Sequence, residues 1–96
     1  MEFTFAAQVW KWQGDAAWHF VALPEDVTDE IEDFPAPRGG FGSVRVLVQI
    51  RDTTWRTSIF PDKGRGTFIL PVKKPVRGAE GIEDGDTVTI TLETLD

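Results

Sequence analysis

The sequence predicts a mainly β protein, a small closed or split β-barrel of about six strands capped by two short α-helices. Three observations predict it. Several segments alternate apolar and polar residues with the period of a strand. Glycine and proline bound most of these segments. Only two segments carry helical spacing. With 96 residues, the chain fits a single domain that spans 1–96.

The first two strands are expected to form a hairpin. Residues 3–12 alternate strictly, and residues 17–23 are rich in aromatic and branched side chains. Between them, residues 13–15 read Gln-Gly-Asp, a composition typical of a turn. Pro24 should end the second strand, because proline lacks the N–H that a strand ladder needs.

The first helix is predicted directly after this strand. A proline and two acidic residues suit its N-terminus. Val27, Ile31 and Phe34 then follow at spacings of four and three, which places them on one narrow apolar stripe. The proline-rich segment 35–37 should end the helix. We expect this helix to cover one end of the barrel.

The remaining strands follow from the same alternation. Residues 43–51 give the clearest pattern, with four branched apolar side chains on one face. Residues 54–60 are expected to form the next strand, which Pro61 should terminate. A short strand at 67–70 and a last strand at 87–95 complete the set of six.

A second short helix is predicted over residues 71–81. Val72, Val76 and Ala79 would face inward, and a glycine at its end would close it. Pro75 is compatible with this helix only in its first turn, where a missing N–H costs nothing.

Composition removes several classes of function. There is no cysteine, which excludes disulfides and thiolate metal sites, and there is a single histidine and no tyrosine. We therefore assign no metal, no cofactor and no catalytic residue. A net charge of −6 argues against a chain that coats nucleic acid or an anionic membrane. Neither a signal peptide nor a membrane span is visible, so a cytoplasmic location is expected.

A cluster of basic residues is the first candidate site. Five of the ten basic residues fall within fifteen positions, and they are Lys63, Arg65, Lys73, Lys74 and Arg77. Acidic residues dominate both flanks of this segment. The cluster can bind an anion or an acidic partner. It can equally be a solvated surface whose lysines pair with the acidic first helix.

Tryptophan placement gives the second candidate site. Trp10 and Trp12 lie on the strand face opposite Phe3, Phe5 and Val9. Both faces of one strand cannot belong to the same core, so one face must meet the helices, a ligand or another subunit. An exposed aromatic binding face and simple cover by the two helices both remain open.

The glycine-rich loop at residues 38–43 is a third, weaker candidate. It lacks the Gly-Lys-Ser/Thr ending of a phosphate-binding loop and precedes a strand rather than a helix. The simpler interpretation is a tight crossover that tucks Phe41 into the core.

Four ordered segments resemble one family. They are residues 18–24 (WHFVALP), 40–44 (GFGSV), 57–74, and the stretch 81–88 with Gly85 and Asp86. Together they resemble the bacterial domain family DUF1905 over nearly the whole chain. The resemblance implies a small barrel with two short helices and no assigned function. The stretch Gly85-Asp86-Thr87-Val88 also resembles the GD box of cradle-loop barrels, in which Asp accepts backbone N–H groups across the barrel.

We expect a non-catalytic binding domain for a small anionic or aromatic ligand, or for a protein partner, as a monomer or homodimer. The candidate ligand-binding residues are Arg38, Phe41, Trp12, Trp55, Lys73, Lys74 and Arg77. Structural roles are assigned to Trp18, Pro24, Pro61, Gly85 and Asp86. The alternative is an antitoxin-like or regulatory DNA-binding barrel acting as a homodimer through its basic patch. A metal-independent enzyme is third.

Overall fold

A computed structural model describes residues 1–14, 18–34 and 38–95. Within these ranges it contains one curled, barrel-like sheet of seven strands and two α-helices. The strands are β1 Glu2–Gln8, β2 Trp10–Lys11, β3 His19–Ala22, β4 Val44–Ile50, β5 Thr53–Asp62, β6 Thr67–Pro71 and β7 Thr87–Thr94. The helices are α1 Glu25–Asp33 and α2 Lys74–Glu80. The mainly β class and the two helices predicted from the sequence are confirmed.

The strand order explains the curl of the sheet. All neighbouring strands are antiparallel, in the order β1-β7-β4-β5-β6-β3-β2. β1 and β2 stand at opposite ends of this order, although only Val9 separates them in the chain. Seven strands replace the expected six because Val9 interrupts the first one. Its N–H donates to the carbonyl of Asp86, and its carbonyl accepts from the N–H of Gly85.

The core lies inside the curl and is built by strand alternation. Side chains at every second position point inward, while their neighbours face outward. The fully buried ones include Val9, Val21, Leu23, Val44, Val46, Val48, Ile50, Ile59, Phe68, Leu70, Ile90 and Leu92. Apolar area removed from water at these positions is the main stabilising term for the domain.

Helix α1 covers part of this core. Val27 and Ile31 are buried, and the buried Thr28 hydroxyl accepts a hydrogen bond from the N–H of Phe68 at 3.2 Å. Phe34, expected as the third member of the stripe, is exposed because the helix ends at Asp33. The helix therefore packs through its first two turns.

Two boundaries differ from the sequence-based expectation. Pro61 does not end its strand, since β5 continues to Asp62 and Pro61 pairs with Phe68. The Phe68 N–H donates to Thr28 and its carbonyl accepts from Leu23, so the Pro61 pair is not hydrogen-bonded. At such a position the missing proline N–H points away from β6 and costs no ladder bond.

Helix α2 is shorter than predicted. Pro71 belongs to β6, so the helix begins at Lys74 and Pro75 falls in its first turn, as required. Val76 is buried, but Ala79 is exposed, because a helix of seven residues presents only one apolar side chain to the core.

Some expectations concern residues outside the described ranges. These are Asp15 in the first turn, the start of the second strand at Ala17, and the helix-ending segment 35–37. Within the described part of the chain, neither helix has the length or apolar character that crossing a membrane requires.

Candidate functional site

The outer surface of β2, β3, β5 and β6 carries an unusual concentration of apolar side chains. Alternation sends Val21, Ile59 and Leu70 inward, so their neighbours must face outward. Strand pairing then brings those neighbours together, with Trp10 opposite Phe20 and Phe60 opposite Ile69. We call this surface the aromatic face, and it consists of Trp10, Trp12, Trp18, Phe20, Phe60 and Ile69.

Phe20 is the centre of the ring cluster. Its ring centroid lies 5.2 Å from that of Trp10 and 6.0 Å from that of Trp12, which it meets edge to face. Trp18 lies parallel to it within 9°, also at 6.0 Å. Trp12 and Trp18 keep 46 % and 49 % of their surface exposed. Such ring contacts fix side-chain positions while leaving large apolar areas in water.

Between these rings lies an open cavity of about 390 Å³. Trp12, Trp18, Phe20, Phe60 and Ile69 line it, so its wall is almost entirely apolar. Ligand sites commonly measure ~300–1,000 Å³ and have mainly aromatic and apolar walls. In the described part of the chain neither helix contributes to its lining. The tryptophan face is therefore not simply covered by helices.

A second cavity adjoins the first and has different chemistry. It measures about 380 Å³ and shares Trp18 and Phe60 with its neighbour. Its cations are Arg45, Arg56 and Lys73, and no acid among residues 1–14, 18–34 and 38–95 lines it. Arg45 and Arg56 lie on the outer faces of β4 and β5, while Lys73 directly precedes α2. An anion here would meet positive charge from three elements.

Positively charged side chains also lie beside Trp10 and Trp12. A cavity of about 560 Å³ is lined by Trp10, Trp12, Lys11 and Arg65, together with Asp62. The Arg65 guanidinium lies 3.9 Å from the centroid of the Trp10 ring, within cation–π range. Its Nε is 3.7 Å from the Asp62 carboxylate. The guanidinium thus lies over the Trp10 ring and places a positive charge on that face of the indole.

A smaller cavity of about 270 Å³ lies beyond Trp18 and is lined by His19, Lys73 and Lys74. The Nδ1 atom of His19 has no hydrogen-bond partner among the described residues. No group of three or more His, Asp or Glu side chains in those residues could hold a metal ion. The site offers apolar surface and cations.

Three of the candidate ligand residues come together at this site. Trp12 lines the apolar cavity, and Lys73 and Lys74 border Trp18. Trp18 itself, to which a structural role was assigned, is half-exposed and lines the apolar cavity and the two cavities that contain Lys73. Trp55, in contrast, packs against the core from the inner side of β5.

The other candidates lie elsewhere. Arg38 donates to the carbonyl of Gly42, and its guanidinium lies 5.5 Å from the centroid of the Phe68 ring. The side chain of Arg77 donates to the carbonyl of Val72. Neither lines a cavity of the aromatic face. The basic candidates therefore do not converge on one pocket.

The expected burial of Phe41 is wrong. Its φ of +60° turns the side chain away from the core, and 95 % of its surface is exposed. Within the loop, Gly39 and Ser43 hydrogen-bond each other through backbone atoms, and Ser43 also donates to Gly40. This closed turn fits the crossover interpretation of the loop better than a phosphate cradle.

The basic cluster is divided by the fold. Arg65 lines the cavity beside Trp10, whereas Lys73 and Lys74 line a different cavity beside Trp18. The single salt bridge among the described residues joins Arg65 to Asp62. The lysines are therefore not paired with acidic α1 in that part of the chain.

The turn before β7 joins the two halves of the first predicted strand. Gly85 has a φ of +92°, which favours glycine, and Val88 enters the core. The Asp86 carboxylate accepts the N–H of Glu83 in the same turn. The link across the sheet is made instead by backbone atoms of Gly85 and Asp86 with Val9.

Sequence reasoning missed part of the site. The sequence pattern did not single out Phe20, Phe60, Ile69, Arg45 or Arg56 as candidates. Alternation does place each of them opposite a buried neighbour, which was the available signal. Their convergence depends on the strand order, which local pattern does not give.

A protein-family model matches most of the chain. The family model described as "Domain of unknown function (DUF1905)" matches residues 5–92 of the 96. The chain belongs to the DUF1905 family. The match begins in β1, ends in β7 and includes every residue of the aromatic face. No curated protein matches the sequence. DUF1905 membership leaves the function to be argued from the site.

Proposed function

We propose that this DUF1905 domain is a non-catalytic binding module whose aromatic face takes a small ligand with a flat ring and an anionic group. One observation carries the proposal. The apolar cavity and the cationic cavity share Trp18 and Phe60, so they are two halves of a continuous surface. A ring held in the first half places its charged substituent beside Arg45, Arg56 and Lys73.

The two halves contribute differently to recognition. The rings offer dispersion and burial of apolar area, which tolerate many flat ligands. The three cations attract an anion, and in the described part of the chain no acid lines their cavity. Charge therefore supplies selectivity for anionic ligands over neutral and cationic ones.

The proposal includes a finer description of the fold as a closed barrel. β1 and β2 are consecutive in the chain and hold the two ends of the strand order. The Gly85–Asp86 turn, interpreted as a GD box, ties their junction at Val9 to β7. A closed sheet holds the outer rings in place before binding, which lowers the entropy cost of ordering them.

Nuclear magnetic resonance of the indole N–H groups tests the proposal. The four tryptophans give four resolvable indole signals, assigned by single Trp→Phe variants. Titration with naphthalene-1-sulfonate should shift the signals of Trp12 and Trp18. The signal of Trp55 should stay, because that ring lies on the other side of the sheet. A shift confined to Trp55 would contradict the proposal.

The anionic half is tested with a neutral probe and one variant. Arg56→Ala should weaken naphthalene-1-sulfonate about 3- to 10-fold, the loss of one charge-assisted contact of ~1 kcal/mol. Binding of uncharged 1-naphthalenemethanol should not change. Phe41→Ala, which removes an exposed ring that lines none of these cavities, is the control and should affect neither probe. Equal loss for both probes would show that Arg56 does not recognise charge.

A further inference from the structure

We infer that the ligand class of this face is single-stranded nucleic acid, with a base in the apolar cavity and phosphates along both sides. The inference rests on the proposed function and extends it from a small ligand to a polymer. It is carried by the placement of cations around the rings and by the exposure of Trp12 and Trp18.

Cations border the apolar cavity on two sides, one at Trp12 and the other at Trp18 and Phe60. Lys11 and Arg65 lie beyond Trp12, whereas Arg56 and Lys73 lie beyond Trp18. A small ligand with one anionic group uses only one of these sides. A chain that alternates flat bases with phosphates uses both, because each base is flanked by a phosphate at either end.

The local charge differs sharply from the charge of the whole chain. The sequence has ten basic and sixteen acidic residues. Among the described residues, the cavities of the aromatic face are lined by six basic residues and one acidic residue, Asp62. The six basic residues are Lys11, Arg45, Arg56, Arg65, Lys73 and Lys74. Six of the acids lie on α1 instead, between residues 25 and 33.

Because the basic and acidic residues lie on different parts of the surface, the net charge of the chain does not exclude nucleic acid from this face. At physiological salt, charges separated by more than ~8 Å of water are largely screened. A phosphate on the aromatic face therefore responds to the cations of the cavity that it occupies more than to acids elsewhere on the surface. A net charge of −6 is compatible with a polyanion site on one face.

The rings favour a single strand over a duplex. Trp12 and Trp18 are about half-exposed, and a base can lie against them whatever its identity. In a duplex the base faces are stacked on one another and cannot reach these rings. An acidic peptide would neutralise the cations but leave the rings uncovered. Of these three polyanions, only the single strand satisfies both halves of the surface.

Fluorescence anisotropy with labelled dT12 and rU12 tests the inference on the intact chain, and the two probes distinguish DNA from RNA. Either strand should bind at least tenfold more tightly than a 12-base-pair duplex and quench tryptophan emission. If three or four phosphates are neutralised, the slope of log K against log salt should be about −2 to −3. A duplex that binds as tightly as the strands would overturn the inference.

Two variants separate stacking from charge. Trp18→Ala should weaken the strand about 5- to 100-fold with little change in salt slope. Arg56→Ala should weaken binding and reduce the slope by about 0.7, the share of one phosphate. Lys63→Ala is the matched control, since it removes the same charge from a residue that lines none of these cavities. Its affinity should stay within about twofold of the parent.

Three further results would refute the inference. One is unchanged affinity in Trp18→Ala, and another is a poly-glutamate peptide that binds as tightly as dT12. The third is a complete lack of strand binding while naphthalene-1-sulfonate still shifts Trp12 and Trp18. That third result would leave the proposed small-ligand function standing. Failure of both probes would overturn both proposals.

Discussion

Two glycines near the end of α2 should respond in opposite ways to the same substitution. Gly78 lies within the helix and is exposed, and a Cβ added there meets nothing within 4 Å. Gly81 follows the helix with a φ of +64°, and a Cβ there also has open space. An added methyl group therefore meets no other residue at either position, and only the backbone conformation distinguishes the two glycines.

The magnitudes follow from that difference. Gly78→Ala should stabilise the domain by ~0.5–1 kcal/mol, because alanine loses less conformational entropy in a helix. Gly81→Ala should destabilise it by ~1–2 kcal/mol, since a Cβ in the left-handed region crowds the next carbonyl. For a domain of this size ~1 kcal/mol corresponds to about 4–8 °C in melting temperature. The two variants should thus melt roughly 6–24 °C apart.

Urea denaturation followed by tryptophan fluorescence, with thermal melting beside it, measures both variants. The slope of free energy against urea should match the parent, because neither change alters the surface exposed on unfolding. Loss of stability in Gly78→Ala would refute the reasoning, as it would mean that α2 is not helical there. Tolerance of Gly81→Ala would show that the helix can end without a left-handed residue.

Three further predictions concern side chains outside the aromatic face. Thr28→Val should destabilise the domain by ~1–3 kcal/mol in urea, because the buried N–H of Phe68 loses its acceptor. Thr28→Ser keeps the hydroxyl, so the Phe68 amide should stay protected in hydrogen exchange, and loss of that protection would contradict this role. Phe68→Ala should cost ~3–5 kcal/mol in the same urea assay, since the ring is fully buried. Phe41→Ala should stay within ~0.5 kcal/mol, and a larger cost would mean that its exposed ring has a partner.

Sequence pattern predicted the elements well where one local rule applied. The alternation over residues 43–51 identified β4, and the spacing of Val27 and Ile31 identified α1. It failed where a distant group decided the outcome. Pro61 stays within β5 because its partner Phe68 hydrogen-bonds elsewhere.

The site shows the same division. Pattern identified Trp12, Lys73 and Lys74 as candidates, but it also proposed Arg38 and Arg77, whose side chains bind backbone carbonyls near them. The basic residues between positions 63 and 77 are close in the sequence, which suggested one cluster. The fold places them in different cavities. The exposure of Phe41 was missed for another reason, because its left-handed backbone conformation turns the ring away from the core.

By itself, the sequence determined the mainly β class, the two helices, the alternating core and the absence of cysteine chemistry. Each of these depends on residues within a few positions of one another or on composition. The tertiary structure decided that Trp18, Phe60 and Arg56 share one surface. Trp18 directly precedes β3 and the other two lie on β5, which is distant in the chain, and only the order in which the strands pair brings apolar rings and cations together.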